Sequence, residues 1–268
     1  MPLTFHKKPA LVVYVTCGDP DLSTTREIVL AAIEAGADVI ELGVPFSDPV
    51  ADGPVIQRAS ERALAHGTSL AQVLRLAAEI RQQAQSTGLV MFSYLNPILR
   101  MGIQKFCKVA RVAGVYGVLL TDLPVEEAGT YLEAMATCDL APIFLAAPTS
   151  PDNRLKSIAE ASRGFVYAVS RTGVTGARQE LESDAQILVK RLRCMTKLPI
   201  AVGFGISTAE QFAEVGNFAD AAVVGSAIVE TIEKSQGREA AAVGEFVRSV
   251  MATPMSGVGL RQRFDGGR

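Results

Sequence analysis

One acidic residue lies inside an otherwise apolar segment of the sequence, Glu41 in Val39-Ile40-Glu41-Leu42-Gly43. A segment this short and apolar is typical of a buried strand, where a carboxylate is costly unless it is paired or protonated. Burial raises the pKa of a carboxyl group and suits it to proton transfer near neutral pH. The alternative is a structural carboxyl group bonded to neighbouring backbone groups or hydroxyls.

Two further acidic residues, Asp48 and Asp52, follow on a loop whose prolines restrict the backbone. Each of them either caps a turn, the commonest role of a loop aspartate, or takes part in catalysis. A third aspartate, Asp19 in Gly18-Asp19-Pro20, is interpreted as a turn residue. The sequence therefore predicts carboxylate chemistry around Glu41 and the loop that follows it.

Glycines cluster at three later places: Gly173 with Gly176, the segment Gly203-Phe204-Gly205, and the pair Gly225-Ser226. Glycines let backbone N–H groups approach an anion, and the N-terminus of a short helix adds a favourable dipole. Glycine also simply ends strands, but three clusters on successive late units favour a phosphate site. The substrate is therefore expected to carry a phosphate group.

Composition excludes several classes of protein. The 26 Lys and Arg nearly balance the 28 Asp and Glu over 268 residues, so a nucleic-acid or anionic-membrane surface is not expected. Apolar runs are far shorter than the ~20 residues of a membrane span, and we expect a cytoplasmic protein. The two histidines and four separated cysteines form no metal-ligand spacing, and no lysine ends a predicted strand. This leaves carboxylate acid–base chemistry without a metal. The cysteines are interpreted as reduced thiols, and Cys17 is the one expected near a site.

Short apolar segments alternate with helical patterns along the whole chain, which predicts a single (β/α)8 barrel domain over residues 1–268. In one helical pattern Thr24 and Glu27 have capping-box spacing, and Gly36 suits the C-terminal end. An extra helix is expected after strand two, ending near His66. The predicted strands are Leu11 to Thr16, Val39 to Gly43, Leu89 to Tyr94, Gly117 to Asp122, Pro142 to Ala147, Gly164 to Ser170, Pro199 to Gly205 and Asp220 to Ser226.

Together these motifs resemble the α subunit family of tryptophan synthase, from about Val12 to Ile232. The resemblance rests on the segments Glu41 to Pro54, Ser170 to Gly176, Gly203 to Ser207 and Gly225 to Val229. It implies a (β/α)8 lyase that splits indole-3-glycerol phosphate into indole and glyceraldehyde 3-phosphate. It also implies a β partner, normally in an α2β2 complex, which carries pyridoxal phosphate (PLP) while this chain has no cofactor of its own.

The resemblance assigns roles to particular residues. Glu41 moves protons at indole C3 and the glyceryl hydroxyl, Asp52 holds the indole N–H, and Tyr167 lies near the catalytic carboxyl group. From the residues alone, Tyr94 and Tyr167 supply either hydroxyls or packing. The family positions around the indole are matched by Tyr14 and Tyr94. Phosphate contacts carry over to the following residues: Gly173, Gly176, Phe204, Gly205, Gly225 and Ser226.

The segment from Arg171 to about Glu182 resembles a mobile lid in which Thr175 orders against Asp52. Two segments depart from the family: residues 1–10 are too short for the usual first helix, and residues 255–268 read as a flexible tail. Two other functions stay open at this point. One is a stand-alone lyase that releases free indole, and the other is an α-type subunit that is mainly regulatory.

Overall fold

The computed structural model describes residues 5, 7–169, 178–203 and 205–252, with only the backbone of 178–183. Its strands are short and apolar, and they form one parallel sheet. They are β1 (Ala10–Thr16), β2 (Val39–Gly43), β3 (Gly88–Ser93), β4 (Gly117–Leu120), β5 (Ala141–Ile143), β6 (Leu145–Ala146), β7 (Val166–Val169), β8 (Ile200–Gly203) and β9 (Ala221–Val224).

The sheet closes on itself at Phe144. The strand order is β5-β4-β3-β2-β1-β9-β8-β7-β6, so β5 and β6 are its two ends. Only Phe144 separates these ends along the chain, and its carbonyl accepts a hydrogen bond from the Tyr167 amide at 3.1 Å. The predicted (β/α)8 barrel is confirmed. The prediction of one continuous fifth strand over Pro142 to Ala147 is wrong, because its first half bonds to β4 and its second half to β7.

Helices separate the strands and surround the barrel, and two of them lie between β2 and β3. None of the helices in the described part of the chain is both long and apolar enough to cross a membrane. The helices are α1 (Leu22–Glu34), α2 (Pro54–Ala65), α3 (Leu70–Gln83), α4 (Leu95–Met101), α5 (Ile103–Val112), α6 (Gly129–Thr137), α7 (Asp152–Ala161), α8 (Arg178–Arg193), α9 (Ala209–Gly216), α10 (Ser226–Lys234) and α11 (Glu239–Met251).

Helix α1 starts earlier than the spacing of Thr24 and Glu27 predicts. Its N-cap is Asp21, whose carboxylate accepts hydrogen bonds from the Thr24 amide at 2.8 Å and the Thr24 hydroxyl at 2.7 Å. An aspartate satisfies the free N–H groups of a first turn as well as a threonine does, so the cap moves by three residues. At the other end Gly36 has φ +115°, as a glycine that ends a helix requires.

Alternate residues of each strand face opposite sides of the sheet. One set packs inside the barrel and the other packs between the strands and the helices, so both faces are buried. Where the strands begin, the Phe5 ring packs 5.9 Å from the Phe165 ring and covers the inner layer. The inner set comprises Ala10, Val12, Val39, Val90, Leu119, Ile143, Phe165, Ala201, Ala221 and Val223.

Candidate active site

Glu41 points into the barrel, because it lies two residues beyond the inward-facing Val39 on β2. It is 1 % exposed, and neither of its carboxyl oxygens has a hydrogen-bond partner among the described residues. Burial raises the pKa of Glu41 to about 8. The group is therefore largely protonated near neutral pH, and it has free oxygens with which to donate and accept a proton.

Tyr14 lies beside Glu41. The two residues are register partners on β1 and β2, so their side chains share the inner face of the sheet. The Tyr14 hydroxyl lies 3.3 Å from the Thr16 hydroxyl, and its ring packs against Phe92 with centroids 5.0 Å apart. A Cβ atom at Gly43 would overlap the Tyr14 hydroxyl, so the ring crosses from β1 over the backbone of β2.

Tyr167 repeats this arrangement across the barrel. It extends from β7 over β8, where a Cβ atom at Gly203 would overlap its hydroxyl. Burial raises the pKa of Tyr167 well above its usual value, and the nearby Glu41 and Tyr14 act in the same direction. Tyr167 also packs against the inner apolar cluster, so its side chain, like that of Glu41, lies inside the barrel. The glycine at 203 is explained by this close approach of an aromatic ring.

Asp52 lies on the loop between β2 and α2, and its half-buried carboxyl group is the second acid of the site. Burial raises the pKa of Asp52 to about 6, while a hydrogen bond with Tyr94 acts in the opposite direction. The same Tyr94 hydroxyl accepts a hydrogen bond from the Ala51 amide at 2.9 Å. The Tyr94 ring also packs against Phe46, with centroids 5.0 Å apart, so one tyrosine holds the loop at both ends.

Asp48, on the same loop, has a different environment. It is exposed, and it accepts a short hydrogen bond of 2.6 Å from the hydroxyl of Ser47 beside it. This bond is the local turn contact expected of a loop aspartate. Of the two loop aspartates, only Asp52 is brought next to the tyrosines of the barrel mouth.

The predicted phosphate residues are described in part. Gly225 is the N-cap of α10 and lacks a side-chain cap, so the first amides of this helix, beginning at Ser226, remain available to a ligand. Gly205 is exposed just beyond the end of β8. The other predicted phosphate contacts lie outside the described residues: Gly173, Gly176 and Phe204. The same is true of the lid residue Thr175 and of the predicted tail 255–268.

Sequence reasoning missed the role of Asp19. Its side chain is 3 % exposed and forms two hydrogen bonds of 2.8 Å with the guanidinium of Arg62. A Gly-Asp-Pro turn carries no sign of a cationic partner 43 positions away. Cys17 also differs from expectation, since it is buried in the layer between the strands and the helices instead of facing the mouth.

The fold and these side chains define a (β/α)8-barrel enzyme with a buried acid at the mouth of the barrel. The family model described as "Tryptophan synthase alpha chain" matches residues 3–254. The tryptophan synthase alpha chain of Solibacter usitatus is 50 % identical over 256 residues, covering 96 % of this chain and 95 % of that protein. That of Neisseria meningitidis is 47 % identical and covers 90 % and 92 %.

Solved structures agree with the sequence comparison. The tryptophan synthase a2b2 complex of Pyrococcus furiosus contains a chain of 39 % identity and TM-score 0.86, with 91 % of this chain and 98 % of that chain covered. Tryptophan synthase subunit alpha from Legionella pneumophila gives 36 % identity and TM-score 0.84, with 90 % and 91 % covered. The protein belongs to the tryptophan synthase alpha chain family.

Proposed function

We propose that this chain cleaves indole-3-glycerol phosphate into indole and glyceraldehyde 3-phosphate, with Glu41 as the group that moves the protons. The observation that carries this proposal is the Glu41 carboxyl group, which is enclosed in the barrel and lacks any hydrogen-bond partner among the described residues. A buried carboxyl group left without partners in the ground state is available to the reacting atoms of a substrate.

The reaction requires two proton transfers, one to indole C3 and one from the hydroxyl on the neighbouring glyceryl carbon. Glu41, protonated at neutral pH because of its raised pKa, donates a proton to indole C3 and makes the ring a cationic indolenine. The bond between C3 and the glyceryl carbon then breaks, its electron pair returns to the ring, and the hydroxyl on that carbon becomes the aldehyde. The Glu41 carboxylate takes the hydroxyl proton, so the enzyme ends the cycle in its starting state.

Asp52 stabilises the positive charge that develops on the ring. Because its pKa is about 6, it is mostly ionised at neutral pH, when Glu41 is mostly protonated. Two carboxyl groups with separated pKa values can divide acid and electrostatic roles in this way. A carboxylate at the indole N–H favours the cationic intermediate over the neutral substrate, which lowers the barrier.

The tyrosines enclose the indole ring and the two acids. Tyr167 is proposed as the third catalytic residue because its side chain packs against the inner cluster of the barrel, and Glu41 contributes to its raised pKa. Tyr14 and Tyr94 are proposed to line the indole pocket, where they pack against Phe92 and Phe46. Aromatic walls of this kind suit a flat heterocycle.

The phosphate group is proposed to bind where α10 begins. Its first amides carry no side-chain cap, and the helix dipole favours an anion at this end. Gly205, Gly225 and Ser226 provide this site from the described part of the chain. The proposal also includes Gly173, Gly176 and Phe204, with Thr175 as the lid residue that orders against Asp52.

A β subunit is the partner in the α2β2 assembly of this family, as in the Pyrococcus furiosus complex. We place the contact with this partner at the loop that carries Asp52, where Val50 is 86 % exposed, because a subunit bound there would cover the mouth of the barrel. We propose that this contact couples indole release to a PLP site on the β subunit. The chain is proposed to act as one barrel domain in the cytoplasm.

The experiment measures release of glyceraldehyde 3-phosphate from indole-3-glycerol phosphate, with and without the β subunit. The wild-type chain is expected to be slow alone and strongly activated by the β subunit. Glu41→Gln keeps the side-chain volume and is expected to lower turnover by about 10²-fold or more, with β binding retained. Glu34→Gln, at an exposed position late in α1, is the matched control and is expected to behave as wild type.

The possible results distinguish three functions. Fast turnover of the isolated chain, without further activation, would identify a stand-alone lyase. Unchanged turnover of Glu41→Gln would refute the catalytic role and favour a regulatory subunit. An absence of product in every case would refute the enzymatic proposal.

A further inference from the structure

Two helices carry the two halves of the proposed site. Helix α2 begins at Pro54, two residues after Asp52, and α10 begins at Ser226, where the phosphate group is proposed to bind. Within α2, the Gln57 side chain donates a hydrogen bond of 2.8 Å to the Asp52 carbonyl. The position of Asp52 therefore depends on the position of α2, and that of the phosphate amides depends on α10.

Near the barrel, the two helices meet around the ring of Tyr14. This ring forms a buried apolar cluster with Ala59 of α2 and Val229 of α10, and Val55 and Ile56 pack against the cluster. Apolar contacts of this kind hold two surfaces together without setting a unique position along their length, because they are not directional. A second, directional contact is needed to set the position of one helix relative to the other.

Arg62 makes that second contact less than one turn after Ala59 on α2. Its guanidinium donates two hydrogen bonds of 2.8 Å to Asp19, and a third of 2.8 Å to Glu233 of α10. The planar guanidinium group fixes the direction of all three bonds. One side chain thus joins α2, α10 and the turn after β1.

Arg58, one turn before Arg62, makes a less extensive contact. It also binds Glu233, at 3.1 and 2.9 Å, but it is 48 % exposed and has no bond to Asp19. Together the two arginines lower the pKa of Glu233 to about 2, with the Arg58 hydrogen bond as the larger cause. Both arginines neutralise Glu233, but only Arg62 ties the pair of helices to the strand that carries Tyr14.

We propose that Arg62 is a positioning residue for catalysis, which holds the Asp52 loop and the phosphate-binding end of α10 in one fixed relation by joining Asp19 to Glu233. This inference rests on the proposed function. Because each end of the substrate is bound by a different helix, a shift between the helices moves the indole relative to its carboxyl groups. A displacement of about 1 Å lowers rates by as much as 10²-fold.

The test compares Arg62→Met with Arg58→Met in the complex with the β subunit. Arg62→Met is expected to lower kcat/KM for indole-3-glycerol phosphate by roughly tenfold or more, with KM raised and kcat lowered together. Arg58→Met removes an equal positive charge from beside Glu233, and its kcat/KM is expected to stay within about twofold of the wild-type value. Arg62→Lys keeps the charge but loses the planar set of N–H donors, and it is expected to retain only part of the activity.

Removal of Arg62 leaves the buried Asp19 without its counter-charge, which can unfold a protein. The double variant Asp19→Asn/Arg62→Met removes this charge as well, and it is expected to fold and to show the same kinetic losses. A merely structural role would lower the melting temperature and leave kcat and KM at the wild-type values. That result would overturn the inference, as would equal effects of Arg62→Met and Arg58→Met, or a change in KM or kcat alone.

These failures are distinct from failure of the proposed function. If the wild-type complex releases no glyceraldehyde 3-phosphate, the proposed function is refuted, and the role of Arg62 falls with it. If the wild type is active and Arg62→Met matches Arg58→Met, only the role of Arg62 is refuted.

Discussion

Glu41 lies directly opposite Tyr14 in the register of β1 and β2, and the Tyr14 hydroxyl reaches over Gly43, two residues further along the strand of Glu41. The aromatic ring therefore runs along the same inner face as the carboxyl group and helps to keep water from it. This burial raises the pKa of Glu41 to about 8. One pair of neighbouring residues thus links strand register to acid–base chemistry.

The first prediction concerns stability as a function of pH. The folded-state pKa of Glu41 is about 8, against an ordinary value of 4.5, so the folded protein keeps a proton that the unfolded chain loses. At pH values below 4.5 Glu41 therefore does not lower the free energy of unfolding through its ionisation. Between pH 4.5 and about 8 it lowers this free energy progressively, and above about 8 the loss stays constant. Glu41→Gln should exceed the wild type in free energy of unfolding by a margin that grows with pH.

Denaturant unfolding at several pH values between about 5 and 8 measures this margin, whose slope approaches about 1.4 kcal/mol per pH unit. The Glu34→Gln control, which removes a carboxyl group from an exposed position of α1, is measured in parallel. Parallel stability curves for Glu41→Gln and the wild type would show that Glu41 is not held protonated.

The second prediction concerns the pH dependence of kcat/KM. The proposed mechanism needs Asp52 ionised and Glu41 protonated, so the profile should rise with a pKa near 6 and fall with a pKa near 8. The second ionisation of the substrate phosphate also lies at about 6. Asp52→Asn separates the two causes, because a rising limb that survives in this variant belongs to the substrate.

The third prediction concerns Tyr94, whose hydroxyl contacts both the Ala51 amide and Asp52. The hydrogen bond with Tyr94 lowers the pKa of Asp52, so Tyr94→Phe should move the rising limb of the pH profile to higher pH. Turnover at neutral pH should fall by a few-fold. Tyr131→Phe is the control, since that buried hydroxyl donates to the Val118 carbonyl, outside the proposed site. An unmoved limb in Tyr94→Phe would contradict the role of the hydroxyl.

The fourth prediction concerns the glycines beneath the two tyrosine rings. A methyl group at Gly43 or Gly203 would overlap the hydroxyl of Tyr14 or Tyr167, so each Gly→Ala variant must displace a ring. We expect a loss of about 1–3 kcal/mol in unfolding free energy and at least tenfold lower kcat/KM. Gly129→Ala adds a methyl group with nothing within 4 Å and should match the wild type in kcat/KM. Full activity in Gly203→Ala would show that the position of Tyr167 does not matter.

Local patterns were sufficient to predict the barrel and the burial of its acid. Short apolar runs identify strands buried on both faces, whereas the inward position of Val39, and with it that of Glu41, is given by the structure. The interruption at Phe144 could not be predicted, because the residues on both sides of it are equally apolar. What divides this strand is hydrogen bonding to two different neighbours, and no pattern within the strand records it.

The remaining features could not be predicted, because they depend on contacts between residues that are far apart in the sequence. Asp19 looks like a turn residue until the fold brings Arg62 to it, and Gly203 looks like an anion-binding glycine until the ring of Tyr167 is seen above it. In both cases the residue type is explained by a side chain from another element. Sequence spacing describes neighbours along the chain, whereas these roles depend on neighbours in space.

The aromatic pair Phe5 and Phe165 bears on the fate of the product. A barrel of this size is filled by its own side chains, and at the floor the Phe5 ring packs against the innermost layer. Among the described residues the floor is packed, so indole formed above these layers departs through the opening by which the substrate came in. A docked subunit over that opening would thereby govern every molecule that escapes.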